Sequence, residues 1–205
     1  LFDAIATHVT TLATGKKFAV IVQESPDVSD ASLITAFAAK ESADVVCCAG
    51  FVKLYEPVSG RYPKRPAAWP AVARLAAASP HRHPGRVASG PLAGVSSLYR
   101  DERQSEGLDA ARFMTLRTII DNPGYFVTNG RTMAAAGSDF QYVEYRRVLN
   151  LGRKTGYSAL TRYLNDERRV NGATGITAGL PGAPGTILEA DAQQIDSYVT
   201  AQLRA

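Results

Sequence analysis

Residues 124–147 read GYFVTNGRTMAAAGSDFQYVEYRR. Tyr125 to Thr128 reads as a strand. Asn129-Gly130 is a turn dipeptide between two short strands, and Gly130 is expected to supply the positive φ of a tight turn. Arg131 brings five donors to anchor a neighbouring carbonyl or carboxylate. Thr132 follows it. From Gln141 the apolar spacing becomes helical and runs on to Asn165, through the arginine pair Arg146-Arg147. Phe140, Tyr142 and Tyr145 fall on neighbouring helix positions and are expected to pack against the sheet. Strand, turn, strand and helix in one stretch point to a mixed chain.

Working towards the N-terminus, Leu108, Ala111, Phe113, Leu116, Ile119 and Ile120 predict a helix that stops before Asn122-Pro123-Gly124. Phe2 to Leu12 predicts another, ended by Gly15. Lys17 to Val22 is a short β-branched run, a buried strand. Ser29 or Asp30 can cap a second helix through Leu33, Ile34, Phe37 and Ala38. Ala43 to Leu54 predicts a second buried strand, parallel to the first. Pro57-Val58-Ser59-Gly60 is turn chemistry, Ala71 to Ala78 is helical, and Ser79 to Gly94 is mostly irregular. Towards the C-terminus, Val170 to Gly185 is a glycine-rich loop or ribbon. Glu189 to Leu203 is a final helix with Ile195, Tyr198, Val199 and Leu203 inward. The fold class expected is α/β (α+β overall): a helix-strand-helix-strand layer joined to a sheet with long packing helices. It forms one unit over 1–205, with an α/β half at 1–78, a Pro/Gly-rich connector at 79–107, and a strand-turn-strand plus long helices at 108–205.

The chain has 205 residues, 45% of them hydrophobic, enough for a sizeable core. Charged residues make up 20% and the net charge is +4, short of a dedicated nucleic-acid binder but compatible with an acidic protein partner. Cys47 and Cys48 lie in an apolar run and read as small buried hydrophobes. No apolar run approaches the ~20 residues of a membrane span. The chain opens at Leu1 inside a helical pattern and closes inside another, and is read as an internal piece of a longer protein without a signal peptide.

Enzyme constellations are weak. His81 and His83 lack a third metal ligand. Gly94-Val95-Ser96-Ser97-Leu98 lacks the last glycine of a nucleophile elbow. The glycines of 172–185 lack the Lys-Ser/Thr ending of a phosphate loop. His8 completes a short set of general bases. Asp101, Glu102, Asp166 and Glu167 sit beside arginines and read as solvated. A competing enzyme reading places a ligand at the strand ends near Gln23-Glu24-Ser25 or Gly50. No catalytic, cofactor or metal residue is assigned. Arg146, Arg147, Arg153, Lys154, Arg162, Arg168 and Arg169 form a basic strip that could meet an acidic partner.

The order of these pieces resembles the tail sheath family of contractile phages, phage-tail-like bacteriocins and injection systems. Leu54-Tyr55-Glu56-Pro57-Val58-Ser59-Gly60 matches a strand running into an acidic-Pro-x-Ser-Gly turn. A Pro/Gly-rich passage follows, with Pro84-Gly85 and Ser89-Gly90-Pro91-Leu92-Ala93-Gly94. Gly130-Arg131-Thr132-Met133 and Phe140-Gln141-Tyr142-Val143-Glu144-Tyr145-Arg146-Arg147 resemble the family's Gly-x-Arg-Thr and Trp-x-Tyr-Val-x-Val-Arg-Arg. Phe140 in place of Trp and Gly152-Arg153-Lys154 in place of an acidic segment mark a divergent branch.

The resemblance implies a non-enzymatic structural subunit of a virion tail. Its partners would be further sheath subunits in a helical homopolymer, an inner tail tube and a baseplate. Neither direct nucleic-acid readout nor membrane insertion is implied. In the family, terminal arms add strands to a neighbour's sheet. This chain is expected to lack both arms and to be monomeric or weakly associated alone. Another tail structural protein, such as a terminator, is the remaining alternative.

Overall fold

Helix and strand alternate twice before residue 50, as the apolar spacing predicts. α1 spans Phe2–Thr14, β1 Ile21–Glu24, α2 Asp30–Phe37 and β2 Val45–Cys48. The computed structural model describes residues 1–15, 18–162 and 189–204. Val170 to Gly185, Asp166, Glu167, Arg168 and Arg169 lie outside the described residues. The chain divides into two units, Leu1–Asn150 and Leu151–Ala205.

In the first unit, β1 and β2 pair in parallel, with Ile21 opposite Val45 and Glu24 opposite Cys48. β1 lies later than the run from Lys17 suggests. Ser29 caps α2, its hydroxyl accepting from the Ser32 amide at 3.4 Å. Every residue of β2 is buried. Val46 and Cys48 face one core, with Val52, Leu75, Leu116 and Val127. Val45 and Cys47 face the other, with Phe2, Leu33, Phe37 and Phe113. A strand buried on both faces must be continuously apolar, and VVCC is. In the second core Phe37 meets Phe2 at 5.9 Å and Phe113 at 5.4 Å, both edge to face.

The expected single strand at 43–54 is two strands. Gly50 has φ 96°, a left-handed turn that ends β2 and redirects the chain. β3 (Phe51–Leu54) then joins β4 (Lys64–Pro66) and β5 (Val95–Leu98) in a separate antiparallel sheet, ordered β4-β3-β5. α3 (Ala68–Ala77) packs Ala71 and Leu75 into the first core. The connector after it is irregular as expected, with one 3-10 turn at Val87–Ser89. Arg74 ties it down, donating to the carbonyls of Ser89 and Pro91 at 2.9 Å each and to that of Gly90.

The helix expected from Leu108 does not form. Arg112 has φ 73°, which no α-helix accommodates. Leu116–Ile119 is β6, antiparallel to β7 (Asn122–Val127). Leu116 and Ile119 are three apart, which mimics a helical face, while the β-branched Thr115, Thr118, Ile119 and Ile120 favour the strand. The hairpin reverses at Ile120-Asp121, with Asp121 at φ 62°, and not at Asn129-Gly130.

Two distant segments complete the parallel layer. The Met114 amide donates to the Cys47 carbonyl, and the Met133 amide to that of Val45, both at 2.9 Å. α4 (Val143–Thr161) follows, continuous through Gly152 and Gly156. The second unit holds the C-terminal part of α4 and α5 (Glu189–Arg204), where Ile195, Tyr198 and Val199 are half-buried.

Candidate functional site

Phe140 and Tyr142 precede α4 and do not lie on it. Tyr142 instead pairs through its backbone with Arg131. Its ring lies 4.9 Å from the Arg131 guanidinium and edge-on to Tyr145 at 5.9 Å. Tyr145 points outward and is mostly exposed. Arg131 also reaches Gln141 Oε1 at 3.2 Å and approaches Asp109 Oδ2 at 3.7 Å. The Thr132 hydroxyl donates to the Phe140 carbonyl at 2.5 Å. Gly130 lies outside the left-handed region, so the expected positive φ is corrected. Glycine is required there for space. A Cβ would stand 2.7 Å from Val143 Cγ1 and 2.8 Å from Pro84 Cγ.

The basic residues separate. Arg146 lies inward, with both ends of its guanidinium fork on Asp44, NH2 donating to Oδ2 at 2.6 Å and Nε to Oδ1. Its other side covers the Phe140 ring at 5.2 Å. Arg147 NH2 donates to the Ala78 carbonyl at 2.8 Å, and its NH1 is buried. Burial lowers the Arg147 pKa, with buried Glu144 opposing that shift. These two arginines fasten the start of α4 to the parallel layer and to the end of α3. Arg153, Lys154 and Arg162 belong to the second unit and are exposed, Arg162 lying over the Tyr198 ring at 5.4 Å.

Asp101 and Glu102 are not solvated surface acids. Glu102 is only 5% exposed. Its Oε1 accepts from the amides of Gly107 at 2.9 Å and Asp109 at 3.1 Å, and its Oε2 from Arg100. Burial pushes its pKa up, but Arg100 and these amides outweigh burial and hold it below the usual range. Asp101 is likewise lowered, burial being outweighed by the Thr118 hydroxyl and the amides of Arg103 and Thr118. Most partners lie close in sequence, the neighbouring Arg100 among them, whereas Thr118 reaches Asp101 only through the fold. Both acids stay ionised in the folded chain. Their stabilisation is complete above the unfolded carboxylate range of about pH 4 and fades as pH falls through the lowered folded values. Urea midpoints measured from pH 7 to pH 3 are expected to drop at the acid end, and less steeply in Glu102→Gln. A midpoint that is flat to pH 3 would disprove this.

At the end of β1, a cavity of about 460 Å³ is lined by Gln23, Glu24, Ser25, Phe37 and Lys40. Ser25 Oγ accepts from the Gly50 amide at 3.3 Å, and no histidine lines the cavity. Burial pushes the Cys47 thiol up to about 12 and Cys48 higher still, so neither is a ready nucleophile. Among the described residues no group of three or more His, Cys, Asp or Glu side chains is placed to hold a metal ion, and no helix is long and apolar enough to cross a membrane.

The outward face of the β4-β3-β5 sheet is more distinctive. Lys53 stands opposite Lys64 and Ser97. The Lys64 ammonium lies 4.5 Å from the Phe51 ring centroid and 5.0 Å from that of Tyr99. Tyr55 and Tyr62 meet with ring centroids 5.3 Å apart, tilted by 47°, and are about half exposed. Strand-by-strand periodicity does not bring these rings together.

Several solved structures share this architecture. A chain of the anti-feeding prophage baseplate has a TM-score of 0.63 at 15% identity, covering 98% of this chain and 47% of its own length. The contracted helical sheath of the same system gives 0.58 at 17% identity, over 94% and 48%. A sheath tail protein from Desulfitobacterium hafniense gives 0.55 at 14% identity, over 80% and 36%. This chain therefore spans about half the length, or less, of the structures it resembles. No curated protein matches the sequence. The family model described as "DUF2586, N-terminal domain" matches residues 1–131. The mixed α/β fold is that of the sheath proteins of contractile injection systems, and the chain belongs to the DUF2586 family.

Proposed function

We propose that this chain is the body of a contractile sheath subunit. Copies assemble helically around an inner tube, connect to a baseplate, and shorten together to drive the tube through a target envelope. The observation that carries this reading is the near-complete coverage of the chain, 98% and 94%, by chains from a baseplate and a contracted helical sheath. A two-core body cross-tied by Arg146 and Arg147 suits such a role, because contraction moves subunits as rigid bodies over their interfaces. Electron microscopy of the intact protein is expected to show rings or tubes. A uniformly monomeric protein under assembly conditions would remove the reading.

Within it, the exposed Arg153 and Lys154 of the second unit are assigned to an acidic partner surface, the inner tube or a neighbouring subunit. Arg162, Arg168 and Arg169 extend the same basic sequence, whereas Arg146 and Arg147 are engaged inside the first unit. The double variant Arg153→Glu/Lys154→Glu is expected to fold normally and to lose sheath-tube complexes. Normal complexes would discard the assignment.

A further inference from the structure

The outward face of β4-β3-β5 carries Phe51, Lys53, Tyr55, Tyr62, Lys64 and Tyr99. Clustered Tyr and Phe rings are the side chains enriched at interface centres, and the lysines beside them supply a charge for an acidic group to meet. Lys64 is held by Asp27 at 2.5 Å. Lys53 is exposed and has no ion pair among the described residues, so the face keeps an uncompensated positive charge. Of its two outer strands, β4 is three residues long and contains Pro66, which cannot donate to another strand. Strand addition at β4 is therefore disfavoured, and the proposed contact uses the face.

The first unit also presents a feature of opposite character. The β6–β7 hairpin ends in Ile120, 64% exposed, and in exposed Asp121, which has no ion pair among the described residues. The φ of 62° at position 121 suits glycine at least as well, so the turn does not require the carboxylate.

We propose that this face receives the β6–β7 hairpin tip of a second copy, with Ile120 among the rings and the Asp121 carboxylate on Lys53. The inference rests on the sheath reading, because it needs repeated copies. Two different patches that fit each other make a head-to-tail contact, and such contacts generate rings or, where the rotation does not close, open helical polymers.

The test uses the intact protein assembled from equal amounts of ¹⁴N- and ¹⁵N-labelled chains. A carbodiimide, which joins a lysine amine directly to a carboxylate, is applied to the assemblies. Mass spectrometry is expected to find Lys53 joined to Asp121 in mixed-isotope peptide pairs. Separately, Lys53→Glu and Asp121→Lys should each raise the protein concentration needed for assembly about tenfold, and the combined swap should restore it to within about twofold. If wild-type tubes form while Lys53 is joined only to other carboxylates, or only within one copy, the docking is overturned and the sheath reading stands. Single variants that assemble like the wild type overturn the docking in the same way. If the wild type forms no assembly, the sheath reading fails and takes the docking with it.

Discussion

Gly85→Ala is expected to be the most damaging single-methyl change in the first unit. A Cβ there would stand 2.2 Å from the Val127 carbonyl oxygen and 3.0 Å from the His83 ring. The first obstacle is backbone in β7, which cannot rotate away as a side chain can. Relief requires moving the strand or lifting the connector, at a cost of about 3 kcal/mol or more. For a chain of this size that lowers Tm by roughly 6–12 °C. Gly60→Ala is the matched control. Gly60 has φ 65° but nothing within 4 Å of an added Cβ, so only its conformational penalty applies, about 1 kcal/mol. Calorimetry on the two variants separates crowding from backbone preference. Equal losses would contradict the close approach at Gly85.

Arg146→Ala follows in size. It leaves Asp44 at the edge of the parallel layer, with its side chain only 18% exposed and its bidentate partner gone. Removing one member of a fully buried pair costs about 3–5 kcal/mol, and this partly exposed pair should cost about 2–3. Asp44→Asn should lose much of the same stability, and a double-mutant cycle should return a coupling near 2 kcal/mol. A coupling below about 0.5 kcal/mol would make Arg146 an ordinary surface arginine, available to a neighbour.

Glycines and arginines stand out in this sequence more readily than the physical roles they fill. Gly130 stands out as a turn glycine, yet it is needed because Val143 and Pro84 press against it. Arg146 looks like part of a basic strip because its partner lies about a hundred residues earlier. Local signals are legible where local physics decides. The Ser29 cap and the parallel apolar strands both follow from neighbouring residues alone. Residues 108–120 mislead because apolar spacing alone suggests a helix. There, pairing with β7 and the left-handed Arg112 decide the outcome. The aromatic-lysine face is hidden for a different reason. Its rings come from three short segments that converge only after the sheet forms.

β2 takes backbone hydrogen bonds from Met114 and Met133, long after its own residues have been made. On the ribosome, at about 5–20 residues per second, a wholly apolar strand therefore waits several seconds with one edge open. During that interval the nascent chain offers other molecules a template for strand addition. The stretch matched by the family model ends at residue 131, two short of Met133. A fragment cut there would keep Met114 on Cys47 but leave the Val45 end of that edge uncovered, so soluble expression should improve when the boundary is moved past Arg146.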